Sequence, residues 1–142
     1  MKDKALGMLL NQGDRLLIKR LNRNFAKSGY SVSQEQWLLL RQLWEKDGVK
    51  QQVLADAVGK DKVNITKLVD SLEKRKMVKR VNDKVDRRAK KIYLTEQGKA
   101  LKDELNAIVD QTFNEALDGV ADKDYKSFEK VVVSIIENLT KE

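Results

Sequence analysis

Apolar residues recur at spacings of three and four through the N-terminal stretch. Leu6, Leu9, Leu10, Leu16, Leu17, Leu21 and Phe25 share one face, which predicts a helix from about Lys4 to Lys27. Gly29 is a natural stop, because helices commonly end on a left-handed residue. A second start signal follows. Ser33 and Gln36 have the S-x-x-Q spacing of a capping box, and Val32 and Trp37 stand where a hydrophobic staple packs. That helix carries Trp37, Leu38, Leu40, Leu43 and Trp44 and stops near Asp47-Gly48. A short helix from about Gln51 to Val58 turns Leu54, Ala57 and Val58 inward and ends at Gly59. Asp61 caps the next helix, which runs to about Lys76. Two helices meeting across Gly59-Lys60-Asp61 have the turn length of a helix-turn-helix.

After Met77 the apolar period falls from about 3.6 to about 2. Val78–Val81 and Lys91–Leu94 read as strands joined by a charged tip from Asn82 to Ala89, a basic hairpin. Thr95 then caps a long helix with Leu101, Leu105, Ile108, Val109, Phe113, Ala116 and Leu117 on one face, ended by Gly119. Asp122 caps the last helix, whose apolar positions are Tyr125, Phe128, Val132, Ile135, Ile136 and Leu139. The expected order is four helices, a hairpin and two helices. This is a mostly α (α+β) fold: a winged helix-turn-helix between N- and C-terminal helices.

Composition narrows the chemistry. The 142 residues suit one compact chain, 41% hydrophobic and 36% charged. Cysteine and histidine are absent, which removes disulfides, thiolate redox sensing and the commonest acid–base and zinc-binding side chains. There is no Gly-rich phosphate loop and no paired-carboxylate motif in an apolar setting, so no enzyme, cofactor or metal is expected. No apolar run approaches the ~20 residues that cross a bilayer. The N-terminal apolar residues are scattered, unlike a signal peptide, so a cytoplasmic protein with no membrane partner is the expectation. Net charge is +7, and its distribution matters more than its size. Residues 60–91 hold 13 Lys and Arg against 5 Asp and Glu, so all the excess positive charge lies in that stretch. A charge run alone can be a solvated face, but its concentration in one stretch favours a polyanion partner, and the helix-turn-helix makes double-stranded DNA the expected one.

On a helical wheel Ile65, Leu68, Val69 and Leu72 form the packing stripe of the second helix of the pair. Val63, Lys67, Asp70 and Lys74 face the other way, Asn64 and Thr66 flank them, and Lys62 lies in the first turn. Valine suits a thymine methyl, asparagine can bond adenine, and lysine reaches guanine or phosphate. The first turn of a recognition helix enters the groove. Lys62, Val63, Asn64, Thr66 and Lys67 are therefore the candidate base-reading residues. Lys60, Lys74, Arg80, Arg87, Arg88 and Lys90 are the candidate wing and backbone contacts. The plainer alternative packs Val63 on a neighbour and leaves the rest solvated. Asp83 and Asp86 oppose phosphate binding, and the simplest account pairs a carboxylate with Arg87 or Arg88.

Several stretches closely resemble the MarR family of multiple-antibiotic-resistance-type regulators. They are Val53-Leu54-Ala55-Asp56-Ala57-Val58-Gly59, Asp61 to Arg80, Asp86-Arg87-Arg88 and Leu94-Thr95-Glu96-Gln97-Gly98. Gln34 to Gly48 and the terminal helices match that family in layout. The resemblance implies an obligate homodimer. Residues 1–32 and 96–142 would form the helical dimerisation region, and residues 33–95 the DNA-binding region. It implies a regulator, most simply a repressor, on a pseudopalindromic operator. It also implies release by a small aromatic or phenolic effector, with Arg20, Tyr30, Trp37 and Arg88 as candidate pocket residues. The plainer reading, which the residues favour, makes Trp37 staple and core and Arg20 a solvated side chain. Four positions depart from the family pattern: Lys76 where glycine is usual, Val85 for a wing arginine, Val63 for a small polar residue, and Lys50 for a capping threonine. The dimer also has a physical argument. The terminal helices carry wide apolar stripes beside a small winged domain, and a second copy would cover them; a bundle within one chain is the alternative. A non-specific architectural nucleic-acid binder shares the charge but makes no use of Val63 and Asn64.

Overall fold

The computed structural model describes residues 2–141, with side chains from residue 4 onward. Its elements are α1 (Lys2–Lys27), α2 (Gln34–Glu45), β1 (Val49–Lys50), α3 (Gln51–Val58), α4 (Lys62–Lys74), β2 (Val78–Asn82), β3 (Lys90–Leu94), α5 (Glu96–Ala100), α6 (Lys102–Ala116) and α7 (Asp122–Thr140). The chain forms two compact units, divided between Thr112 and Phe113.

In the first unit the local start signals act as chemistry requires. Ser33 and Gln36 close a reciprocal capping box, with bonds of 3.2 and 3.1 Å, and Val32 and Trp37 are both buried beside it. Asp61 accepts the N–H of Asn64 at 2.8 Å, and Thr95 accepts that of Gly98 at 3.1 Å. Lys50, by contrast, starts α3 with no side-chain cap. Between α3 and α4, Gly59 takes φ +68°, and the Lys60 N–H reaches back to the Ala55 carbonyl at 2.9 Å. A side chain at that φ would be strained, so glycine is what allows so short a turn.

The core joins Leu21 and Phe25 of α1, Leu39, Leu40 and Leu43 of α2, Leu54 and Ala55 of α3, and Ile65, Val69 and Leu72 of α4. Val32, Trp37, Met77, Val78, Ile92, Leu94, Leu105, Ile108 and Val109 complete it. The inward alanine of α3 is Ala55, and Ala57, expected inward, is exposed. Strand order is β1-β3-β2, both pairings antiparallel, with Val49 opposite Ile92 and Arg80 opposite Ile92 on the other side. β1 has two residues, too few to show a period.

The helix expected to run unbroken from Thr95 is interrupted at Leu101 and becomes α5 and α6. A continuous helix aims the Gly98 carbonyl at the N–H of residue 102. Here that carbonyl accepts the Trp44 indole N–H at 3.0 Å. α5 is drawn against the sheet as well: a Cβ on Gly98 would lie 2.1 Å from the Met77 carbonyl oxygen. Trp44 and the strand end thus fix the first helical turn, and the helix re-forms from Lys102.

The second unit comprises the end of α6 and all of α7. The cap of α7 is Ala121, without a side-chain bond, and not Asp122 as expected. Asp122 is already helical, and it and Asp124 place negative charge in the first turn, where the helix dipole favours it. None of α7's residues is buried; Phe128, Val131, Val133, Ile136 and Leu139 lie open. No helix among the described residues is long and apolar enough to cross a membrane.

Candidate DNA-binding interface

α4 presents three stripes. Ile65, Val69 and Leu72 enter the core. Thr66, Asp70 and Glu73 follow the i, i+4, i+7 row and meet Arg80 of β2 and, through Thr66, Gln51 of α3. Val63, Lys67 and Lys74 remain, all exposed. Val63 is 63% exposed, outside the core and open to a partner. Lys62 at the helix start is exposed as well.

Two of the expected base readers are already engaged. The Asn64 side-chain amide donates to Asp61 Oδ2 at 3.2 Å, on the carboxylate that caps its own helix. A bidentate bond to adenine needs the amide plane aligned with the base edge, and the bond to Asp61 holds that plane toward the cap instead. The Thr66 hydroxyl donates to the Lys62 carbonyl (2.8 Å) and accepts from Gln51 Nε2 (3.1 Å). Both residues thereby stiffen the start of α4, which leaves Lys62, Val63 and Lys67 as its exposed candidate readers.

The wing is β2, β3 and the tip between them. The Asp83 N–H bonds the Ala89 carbonyl and the Ala89 N–H bonds the Asp86 carbonyl, both at 3.0 Å. The expected carboxylate–guanidinium pairing within the tip is absent. Asp86 instead accepts the backbone N–H of Arg88 at 3.1 Å, and Asp83 that of Val85 at 3.1 Å. A short carboxylate two residues upstream closes such a turn more directly than it can reach a long flexible guanidinium. Asp83 is buried and also pairs with Lys50 at 3.6 Å. The Val85 N–H, then Lys91 and Lys50, hold its carboxyl below the usual aspartate range against the opposing effect of burial. With the acids spent on turns, Arg87 and Arg88 are left exposed, and Val85 stands 95% exposed at the tip.

Between the wing and the starts of α3 and α4 lies a groove of about 320 Å³. Its lining includes Lys50, Lys62, Arg88 and Lys90, four cations, with one acid, Asp86. Lys60, in the helix-turn-helix turn, forms an ion pair with Glu35 of α2. Arg80, expected among the phosphate contacts, is turned inward, its side chain only 17% exposed.

Of the four candidate pocket residues, two reach the same helix. Tyr30 bonds Glu104, and Trp37 Nε1 donates to Asn106 Oδ1 at 3.0 Å, so both meet α6. Arg88 lines the wing groove instead. Arg20 is an exposed residue of α1. The bond to Glu104 holds the Tyr30 phenol above the usual tyrosine range. Sequence reasoning passed over Arg41, which lies 5.9 Å from the Trp37 ring centroid, and the Gln51–Asp70–Glu73 set. The signal for the latter was present: two acids three apart on an otherwise basic helix require a cation.

The chain belongs to the MarR family: the model of that family matches residues 32–90, and the transcriptional regulator PA3341, of solved structure, is 32% identical. The alignment covers 96% of this chain and 99% of that one, with a TM-score of 0.81. A MarR-family transcriptional regulator from Rhodococcus sp. RHA1 is 29% identical, covering 95% and 94% of the two chains, with a TM-score of 0.83. CouR from Rhodococcus jostii RHA1, solved bound to p-coumaroyl-CoA, is 28% identical over 92% and 90%, with a TM-score of 0.78. The fold is therefore a winged helix-turn-helix, and the protein is a DNA-binding transcriptional regulator.

Proposed function

We propose that this protein represses transcription by occupying a pseudopalindromic operator as a homodimer, in the cytoplasm and without catalysing a reaction. The observation that carries the reading is the exposed Val63–Lys67–Lys74 face of α4, flanked by the basic groove of the wing. An aliphatic residue left in water on a helix start gains by meeting a thymine methyl in a major groove. Of the five base readers expected from the sequence, Val63 and Lys67 contact base edges, Asn64 and Thr66 hold the helix that carries them, and Lys62 turns to the phosphates. Lys60, Lys62, Lys74, Arg87, Arg88 and Lys90 supply phosphate contacts. Residues 1–32 and 96–142 make the dimer, and residues 33–95 read DNA.

A small aromatic acid, free or as a thioester, is the proposed effector. The CouR complex supports an aromatic acyl group, and the Tyr30–Trp37 region beside α6 offers aromatic surface for it.

A binding selection on randomised ~30-bp duplexes at near-physiological salt tests the reading. The expected outcome is two half-sites related by a dyad and centred about one helical turn apart. Enrichment of no sequence, with affinity falling steeply as salt rises, would instead make this an architectural binder. The exposed Val63 disfavours that alternative, since a backbone-only binder gains nothing from it.

A further inference from the structure

Arg80 has the inventory of a phosphate contact but not the placement. Its Nε donates to Gln51 Oε1 at 3.2 Å and Nη2 to the Thr66 carbonyl at 3.3 Å. Nη1 lies 2.6 Å from Asp70 Oδ1 and 3.0 Å from Glu73 Oε1. The Arg80 backbone N–H bonds the second oxygen of Glu73 at 3.2 Å. Gln51 closes the circuit through its own bond to Thr66. A guanidinium donates in a rigid planar fork, so these bonds fix directions and not only distances. The side chain is mostly covered, and reaching a phosphate would strip two carboxylates and a carbonyl of their partner.

The circuit joins three elements that meet DNA: the start of α3, the recognition helix α4 and the first strand of the wing. It uses the Thr66–Asp70–Glu73 stripe of α4, adjacent to the Val63–Lys67–Lys74 stripe left for bases. Asp70 and Glu73 also have an electrostatic cost. They stand on a DNA-facing helix, where each acid repels phosphate. Their presence in the most basic stretch of the chain is accounted for if they hold Arg80.

We infer that Arg80 is a positioning residue: with Gln51, Asp70 and Glu73 it sets the pitch of the recognition helix against the wing, and through that the protein's discrimination among DNA sequences. The inference rests on the sequence-specific reading above. Helix pitch decides whether Val63 and Lys67 meet the same base pairs that the wing brackets, so loosening it costs specificity more than attraction.

The test measures affinity for the enriched duplex and for a scrambled one across a salt series. Arg80→Lys keeps the charge and loses the fork. The ratio of specific to scrambled affinity is expected to fall about tenfold, with the salt slope unchanged. Asp70→Asn combined with Glu73→Gln gives the sharper sign. On charge alone this variant binds every sequence more tightly; here affinity for scrambled DNA rises while the ratio falls. The second variant keeps the test open should the first fail to fold, as thermal unfolding would reveal. The inference is overturned if both variants keep the wild-type ratio. It is overturned too if Arg80→Gln lowers the salt slope by about 0.9, the value of one lost phosphate contact. A wild-type chain that discriminates no sequence overturns the underlying reading and this inference with it, an outcome distinct from variants that discriminate as well as wild type.

Discussion

At the scale of single residues, the junction from recognition helix to wing turns on Lys76. It has φ +64°, the only positive φ outside glycine among the described residues. The bonds around it explain why the backbone holds this shape. The Lys76 N–H reaches the Glu73 carbonyl at 2.9 Å and the Met77 N–H the Leu72 carbonyl at 3.0 Å, the paired closure that ends a helix on a left-handed residue. The Thr95 hydroxyl donates to the Lys76 carbonyl at 2.6 Å. A side chain with a Cβ loses roughly 1–2 kcal/mol in this conformation, and glycine returns part of that through its freer unfolded chain. Lys76→Gly is therefore expected to stabilise the protein by about 1 kcal/mol net, or about 3 °C in Tm. Urea unfolding of the two forms decides it, and equal or lower stability for the glycine variant would mean the strain is relieved elsewhere.

At the scale of elements, the Leu-Thr-Glu-x-Gly stretch proves to be a joint. Thr95 ties its N–H to the Met77 carbonyl at 3.1 Å and caps α5; Gly98 lets α5 approach the same carbonyl; Trp44 holds the Gly98 oxygen. A methyl on Gly98 would meet backbone, which cannot swing aside as a long side chain could. Gly98→Ala is accordingly expected to cost roughly 1–3 kcal/mol, as overpacking does. Because Met77 adjoins Lys76, DNA affinity should drop with stability; a melt unchanged from wild type would show that the close approach is not needed. The joint also marks where sequence reading stops. Caps at Ser33, Asp61 and Thr95, the stop at Gly59 and the α4 core stripe were legible because each depends on residues within four of one another. The break at Leu101 depends on Trp44, and the short β1 on its pairing with β3. Partners that far apart in sequence leave no period to read. The wing acids were misread for the opposite reason: the local backbone bond to residue i+2 prevailed over a longer-range charge pair.

At the scale of the whole molecule, the decisive feature is apolar surface without a cover. Leu6, Met8, Leu9 and Leu16 of α1 are all exposed, although Leu21 and Phe25 of the same helix lie deep in the core. In the other unit α7 buries nothing, and Phe128, Ile136 and Leu139 are 54%, 58% and 81% exposed. A 19-residue helix with its apolar positions in water gains little from propensity alone, since most helical stability in proteins comes from packing one face. Burial recovers roughly 25 cal/mol per Å², and obligate dimers cover some 2,000 Å² or more, so a second copy of the chain has both reason and surface to bind. Sedimentation at micromolar concentration should therefore give a dimer. Ile136→Glu with Leu139→Glu should give a monomer, because each chain would then bring two unpaired carboxylates into the interface. The DNA consequence separates this from general destabilisation. No residue of α7 belongs to the core that holds the winged region, so the monomer should still bind a single half-site weakly, while its affinity for the two-half-site duplex falls to the same level. A wild-type monomer, or a double variant that still sediments as a dimer, would place the interface elsewhere.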